Sequence, residues 1–220
     1  MAKLSGLFDS FDNIDLIDVN ALAIWLKPAP NPIQLENYIA NKILYPQFVP
    51  MTEVDSKIDL AILRELLKIN GPKDVGANAL LGENPFLNLT LRKILIPEKF
   101  LQFIPSVVNL TWAFVDVFLL TRRKQDAFQD LWTIVLTGEN DEIVGSVIMP
   151  QFDGRNGEMD INVLGKVYKI PSGGLSVIPC SKDRCEVAYK VTNGKVLGKS
   201  ENALELYGGK LGIMVDGRMV

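Results

Sequence analysis

The hydrophobic residues of this chain change their spacing near residue 125, and this change constrains the fold more than any other feature of the sequence. Before that point, apolar residues recur every three to four positions, as on one face of an α-helix. After it they alternate with polar residues, and glycine-containing turns such as Asn193-Gly194 follow at short intervals. The sequence therefore predicts an α+β fold, with a mostly helical domain at residues 1–125 and a small antiparallel β-barrel or sandwich at residues 126–220.

Three helices are predicted in the first domain. Asn31 is an N-cap residue and Pro32 suits the first helical position, so a helix begins here and ends before Pro46. A second helix covers residues 55–69, where apolar residues form a continuous stripe and an Asn-Gly-Pro sequence follows as a stop signal. A third and shorter helix is predicted at residues 96–104.

Six strands are predicted in the second domain. They span residues 131–136, 143–149, 159–170, 175–178, 185–191 and 211–215. No segment between them is long enough for a helix, and turn residues separate them at short intervals. Many short strands with such turns are typical of a barrel or a sandwich.

The composition excludes several classes of function. The chain has no histidine, which removes imidazole metal ligands and the catalytic triads and dyads that depend on a histidine base. Its net charge is −3 and its pI is near 5.1, so it lacks the excess of lysine and arginine that binds nucleic acid. We therefore predict no metal, no cofactor and no nucleic-acid partner.

A histidine-free enzyme is the third-ranked hypothesis. Carboxylate pairs and serine–lysine dyads need no imidazole, and the loops around residues 153–160, Ser172 and Asp216 are the only place where such groups gather in the sequence. No spacing among them singles out a nucleophile and a base.

Residues 100–120 form the most apolar segment, and a basic sequence follows them. The length of this segment resembles that of a membrane span, but Asp116 within it makes insertion costly. The competing interpretation is a buried helix to Ile104 followed by one or two core strands, with partial alternation through Trp112, Phe114 and Phe118. Membrane attachment through residues 100–120 is therefore kept as the alternative function.

The N-terminal residues combine aspartates with apolar side chains at helical spacing. An amphipathic helix here would either pack on its own domain or dock into the groove of a partner. The sequence lacks the uninterrupted apolar core of a secretory signal, so we expect a cytoplasmic protein. The candidate interface residues from this segment and from residues 100–120 are Leu7, Phe8, Phe11, Ile14, Ile17, Trp112, Phe114 and Phe118.

Two cysteines flank a short polar turn, Cys180 and Cys185. If the flanking strands pair, the two thiols face each other and can form a disulfide. In a cytoplasmic protein we expect free thiols instead.

The chain end reads Gly-Gly-Lys-Leu-Gly-Ile-Met-Val-Asp-Gly-Arg at residues 208–218. This resembles a segment near the end of MutL-type, glutamate mutase-associated proteins, and residues 170–179 are similar to the stretch that precedes it there. The resemblance covers residues 143–218 and implies a β-rich accessory domain. It implies no activity for this chain, because the residues that resemble the family are turn glycines and strand residues. Asp216 and Arg218 share one face of the predicted strand, where they form either an internal ion pair or a ligand contact.

These observations predict a non-catalytic assembly subunit or adaptor. Apolar and amphipathic segments are frequent, whereas no catalytic constellation is recognised. The expected partner is another protein or a second copy of the chain.

Overall fold

The structure is a computed structural model. It describes residues 14–45, 48–70, 93–120, 131–180 and 182–218, without the side chains of residues 70 and 118–120. Leu7, Phe8, Phe11 and the side chain of Phe118 lie outside the described residues.

The chain forms two compact units. In the described residues, one of them, the helical unit, contains four α-helices, and the other, the strand unit, contains eleven β-strands. The predicted α+β class is confirmed, with helices first and most strands after them. One strand precedes the last helix in sequence but belongs with the other strands, so the helical unit is not a single stretch of sequence.

The helices are α1 Val19–Trp25, α2 Pro32–Leu44, α3 Glu53–Asn70 and α4 Val107–Leu120, with 3₁₀ turns at Ile14–Leu16 and Glu98–Gln102. The two best-marked predicted helices correspond to α2 and α3. At the start of α2 the Asn31 side chain accepts a hydrogen bond from the N–H of Ile33 (2.9 Å), as the sequence indicated.

The predictions for residues 96–120 were wrong. A strand ends at Pro97 and only a 3₁₀ turn follows it, where a helix over residues 96–104 was expected. Residues 107–120 form a helix instead of core strands. The Ser106 side chain accepts a hydrogen bond from the N–H of Asn109 (3.3 Å), and this cap allows a helix despite the β-branched residues that follow.

Buried apolar side chains hold the first three helices together. They come from the 3₁₀ turn and from one face of each of α1, α2 and α3, and they are Ile14, Ile17, Leu22, Leu26, Leu35, Ile39, Ile58, Ala61, Ile62 and Leu66.

A polar network joins α3 to α1 and α4. The indole N–H of Trp25 donates to Glu65 (2.6 Å), and the guanidinium of Arg64 binds the carboxylate of Asp116 (2.7 Å). Arg64 and Lys68 also lie 5.0 and 4.7 Å from the Trp25 ring centre. Asp116, the residue that made a membrane span costly, is thus half of an ion pair within the helical unit.

The strands are β1 Lys93–Pro97, β2 Leu131–Thr137, β3 Glu142–Ile148, β4 Gln151–Phe152, β5 Glu158–Val163, β6 Lys166–Pro171, β7 Leu175–Ile178, β8 Arg184–Thr192, β9 Gly194–Lys195, β10 Glu201–Tyr207 and β11 Gly212–Asp216. All six predicted strand regions contain strands. The predicted strand at 159–170 is a hairpin of β5 and β6, and β1, β4, β9 and β10 were not predicted.

These strands form a five-stranded sheet in the order β1-β2-β3-β11-β7, a four-stranded sheet in the order β10-β8-β5-β6, and the short pair β4-β9. Apolar side chains of the two larger sheets join one hydrophobic core. The described strands do not close into a barrel. The five-stranded sheet is mixed because β11 runs parallel to β3, so the expectation of an entirely antiparallel arrangement was wrong.

Glycines allow β11 to lie beside β3. In the loop before β11, the N–H of Leu211 donates to the carbonyl of Val144 (2.8 Å). Gly209 (φ +59°) packs so closely on β3 that a Cβ there would lie 2.6 Å from the carbonyl carbon of Val144. A Cβ on Gly212 (φ +96°) would overlap the carbonyl oxygen of Ile178 in β7. The glycine-rich motif at the chain end therefore has a structural role.

The structure joins Cys180 and Cys185 in a disulfide, with their Cα atoms 6.8 Å apart. Cys180 follows β7 of the five-stranded sheet, and Cys185 lies in β8 of the four-stranded sheet. Both residues are buried. The bond thus links the two sheets, which differs from the expectation of free thiols.

We expect reduction of this disulfide to lower the free energy of unfolding by about 2 kcal/mol, since a bond across a short loop removes little entropy from the unfolded chain. Thermal unfolding with and without a dithiol reductant measures the difference. The double variant Cys180→Ser/Cys185→Ser is the control and should not respond to reductant. An equal response of both proteins would contradict the prediction.

Candidate functional site

The structure places three of the predicted interface residues in the interior. Ile14 and Ile17 belong to the helical core, and Phe114 packs edge-to-face on Phe100 with ring centres 5.8 Å apart. Trp112 is half-buried. Ile14, Ile17 and Phe114 are therefore corrected from interface residues to core residues, because the apolar positions of these segments pack within the helical unit.

The Asp216–Arg218 pair is an internal ion pair. The Arg218 side chain binds both carboxylate oxygens of Asp216, at 3.0 and 2.7 Å, and the Arg218 N–H donates to one of them as well. The Asp216 side chain is fully buried. Both carboxylate oxygens are thus engaged by a residue of the same turn, as in the ion-pair interpretation.

The described part of the chain contains no group of three or more Cys, Asp or Glu side chains that could hold a metal ion. Among the described helices, none is long and apolar enough to cross a membrane. The apolar helix α4 has 14 residues.

Exposed apolar side chains concentrate at the end of α2 and in the loop that leads into α3. Met51 is 81% exposed and Leu44 is 69% exposed. We define the 43–54 surface by the seven large apolar residues exposed in this stretch: Ile43, Leu44, Tyr45, Phe48, Val49, Met51 and Val54. Residues 43–52 carry no charge. Such a concentration of exposed apolar groups is characteristic of an interaction surface.

The burial of Lys42 on the inner face of α2 leaves Ile43 and Leu44 exposed. The side chains of α2 that face the core are Leu35, Ile39 and Lys42, which recur at helical spacing. Ile43 and Leu44 are the next apolar residues along the helix. Because Lys42 takes the inward position, these two side chains lie at the surface instead.

Lys42 is completely buried, and its charge is balanced by Asp59 of α3, which is 1% exposed. The Lys42 ammonium lies 2.8 Å from one carboxylate oxygen of Asp59, and the hydroxyl of Tyr38 donates to the other oxygen (2.9 Å). Burial of two charges is tolerated only when they are paired and hydrogen-bonded in this way. The cluster of Tyr38, Lys42 and Asp59 therefore fixes α2 against α3.

The surroundings change the acidity of two members of the cluster. Burial raises the pKa of the Asp59 carboxyl, while the hydrogen bonds and charge of Lys42 and the hydrogen bond from Tyr38 act in the opposite direction. Burial, together with the neighbouring Asp59 carboxylate, raises the pKa of the Tyr38 hydroxyl. Tyr38 therefore keeps its proton and remains the donor to Asp59.

The same cluster holds the loop that carries the 43–54 surface. The Lys42 ammonium donates to the carbonyl of Phe48 (2.5 Å) and lies 5.5 Å from the Phe48 ring centre. The Tyr38 and Phe48 rings pack edge-to-face, 6.1 Å apart. The middle of the loop is thus attached to the buried ion pair.

The loop is also fixed where it enters α3. The Asp55 carboxylate accepts hydrogen bonds from the N–H groups of Met51 (3.3 Å) and Thr52 (3.0 Å), and the Thr52 hydroxyl accepts from the N–H of Asp55 (3.1 Å). This reciprocal arrangement is a capping box. A surface held at its middle and at its end loses less entropy on binding than a free loop.

Charged side chains of both signs lie on the flanking helices. Those that are at least partly exposed are Glu36 on α2 and Glu53, Asp55, Lys57, Arg64 and Lys68 on α3, and Lys57 pairs with Glu53 (2.7 Å). The flanking helices thus expose three acids and three bases and add no net charge beside the 43–54 surface.

The 43–54 surface was not among the predicted interface segments, although two features of the sequence indicate it. Residues 43–52 are uncharged and contain two prolines, whereas a loop between helices is usually polar. The lysine at position 42 also interrupts the apolar stripe of α2.

Comparisons of the chain with protein-family models, with curated proteins and with solved structures found no match.

Proposed function

We propose that the protein is a non-catalytic assembly subunit that binds another protein chain through the 43–54 surface. The observation that carries the proposal is the concentration of seven exposed apolar side chains in twelve residues. Exposed aromatic residues and methionine are enriched at protein interfaces, and charged residues are depleted there.

The rigid attachment of the loop supports this function. The Lys42 ammonium holds the loop at the carbonyl of Phe48, and the capping box of Thr52 and Asp55 holds it where α3 begins. Both devices present the apolar side chains in one arrangement, as a binding surface requires.

Substitution of Leu44 and Met51 by lysine tests the proposal. The purified protein should have a mass above that of one chain, 24.4 kDa, and the double variant Leu44→Lys/Met51→Lys should return to 24.4 kDa. Two lysines place charge in the apolar area, whereas lysine at the C-terminal end of α2 suits the helix dipole and preserves folding. Light scattering behind size exclusion, without detergent, measures the mass.

Ile24→Lys provides the matched control. Ile24 is an equally exposed apolar residue at the end of α1 in the same unit, but it lies outside the 43–54 surface. This variant should keep the mass of the wild type. A wild-type protein that has the mass of one chain at all concentrations and co-purifies with nothing would overturn the proposal.

For the strand unit, the arrangement of two sheets about one core supports a sandwich rather than a barrel. An accessory role, as the resemblance of residues 143–218 implies, agrees with a domain whose glycine motif serves packing. In this proposal the strand unit is an accessory domain of the assembly subunit, and the helical unit carries the binding surface.

A further inference from the structure

The methionines of the described residues differ sharply in exposure. Met149, Met159 and Met214 lie in the strand unit and are at most 3% exposed, whereas Met51 is 81% exposed. Met51 has the largest exposed fraction of the seven residues that define the 43–54 surface. A dissolved oxidant must reach the sulfur of a methionine to react with it, so Met51 is the methionine of this set that reacts first.

Cysteine does not compete with Met51 for a mild oxidant. The chain has two cysteines, Cys180 and Cys185, and the disulfide joins them. Neither sulfur is therefore a free thiol, and both residues are buried. Among the described residues, the thioether of Met51 is thus the sulfur that a peroxide can attack most easily.

We propose that Met51 is a site of reversible oxidation, and that its oxidation releases the partner bound at the 43–54 surface. The Met51 sulfur gives an electron pair to one oxygen of hydrogen peroxide, the O–O bond breaks and an S–O bond forms. The products are methionine sulfoxide and water. Two thiols reverse the step, because they become a disulfide while the sulfoxide oxygen leaves as water. The inference rests on the proposed function of the 43–54 surface and adds its regulation.

Oxidation changes the chemistry of the most exposed side chain of the surface. A thioether is apolar, whereas the oxygen of a sulfoxide is polar and binds water. Residues 43–52 carry no charge, and the N–H groups of Met51 and Thr52 already donate to the Asp55 carboxylate. A partner that packs on this surface would therefore bury the sulfoxide oxygen without a donor from these two groups. We expect binding to weaken about 10- to 100-fold.

Treatment with hydrogen peroxide tests the inference. Peptide mass mapping of the native protein should show sulfoxide at Met51 and little at Met149, Met159 and Met214, whereas all four should react in urea. Light scattering should show that the mass falls towards that of one chain, 24.4 kDa, as the fraction of Met51 sulfoxide rises. A methionine sulfoxide reductase with a dithiol should restore the original mass.

Two variants separate Met51 from the other methionines. Met51→Leu keeps an apolar side chain but has no sulfur, so peroxide should not change its association. Met51→Gln places a polar oxygen at this position and should weaken association without peroxide.

The outcomes distinguish the inference from the proposed function. Unchanged association after complete oxidation of Met51 would overturn the inference and leave the proposed function in place. The inference would also fail if peroxide dissociated Met51→Leu as it does the wild type, or if the buried methionines of the native protein reacted as fast as Met51. An untreated wild type that has the mass of one chain and binds no other protein would overturn the proposed function and the inference together.

Discussion

Replacement of Asp59 by asparagine is expected to lower the free energy of unfolding by about 3–5 kcal/mol, because it leaves the Lys42 ammonium buried without an opposing charge. Lys42 and Asp59 are 0% and 1% exposed, so water cannot replace the lost partner. Urea denaturation followed by the helical circular dichroism signal measures the change.

Glu53→Gln provides the matched control on the same helix. Glu53 also pairs with a lysine, Lys57, but both side chains are exposed, and water solvates whichever remains. Little change is expected. The double variant Lys42→Met/Asp59→Leu removes both charges and should be more stable than Asp59→Asn. If Asp59→Asn unfolds like the wild type, the buried pair does not hold α2 against α3.

Replacement of Gly212 by alanine is expected to cost about 4 kcal/mol or more, or to prevent folding of the strand unit. The φ angle of +96° disfavours any residue with a side chain, and the added Cβ would overlap the carbonyl oxygen of Ile178. That carbonyl belongs to a strand of the same sheet and cannot move alone. β11 would therefore lose its place between β3 and β7.

Gly154→Ala serves as the reference substitution. A Cβ on Gly154 meets nothing within 4 Å, and its backbone lies outside the region of positive φ. Chemical denaturation of the two variants should thus differ strongly, with Gly154→Ala near the wild type. Equal stability of both variants would contradict the role assigned to the glycine motif.

Local sequence signals predicted the elements that local interactions define. The Asn31 cap and Pro32 located the start of α2, and the alternating residues of β5 and β8 located two neighbouring strands. Asn193, predicted as a turn residue, has φ +52°. Caps, turns and periodicity depend on residues only a few positions apart, so a single sequence is enough to predict them.

Elements that depend on distant partners were not predictable in the same way. Lys42 is buried only because Asp59, 17 residues away, neutralises it. A lysine is expected at the surface when its partner is unknown, so the sequence does not show that Lys42 is buried and Leu44 is exposed. The partial alternation through Trp112, Phe114 and Phe118 favoured strands, although the Ser106 cap and packing produce helix α4.

The 43–54 surface was found in the structure and not in the sequence, because the exposure of a side chain depends on contacts between residues far apart in the chain. Ile14 and Ile17 have the spacing of an amphipathic docking helix, yet a core-facing stripe has the same spacing. Burial separates the two interpretations, and it places these residues inside and Met51 outside.

The mass of the wild-type chain as a function of concentration tests the central claim most directly. Light scattering without detergent should show masses that rise above 24.4 kDa with concentration, and Leu44→Lys/Met51→Lys should remain at 24.4 kDa throughout. A wild type that stays at 24.4 kDa over the whole range and binds no other protein would contradict the claim that the 43–54 surface is a docking surface.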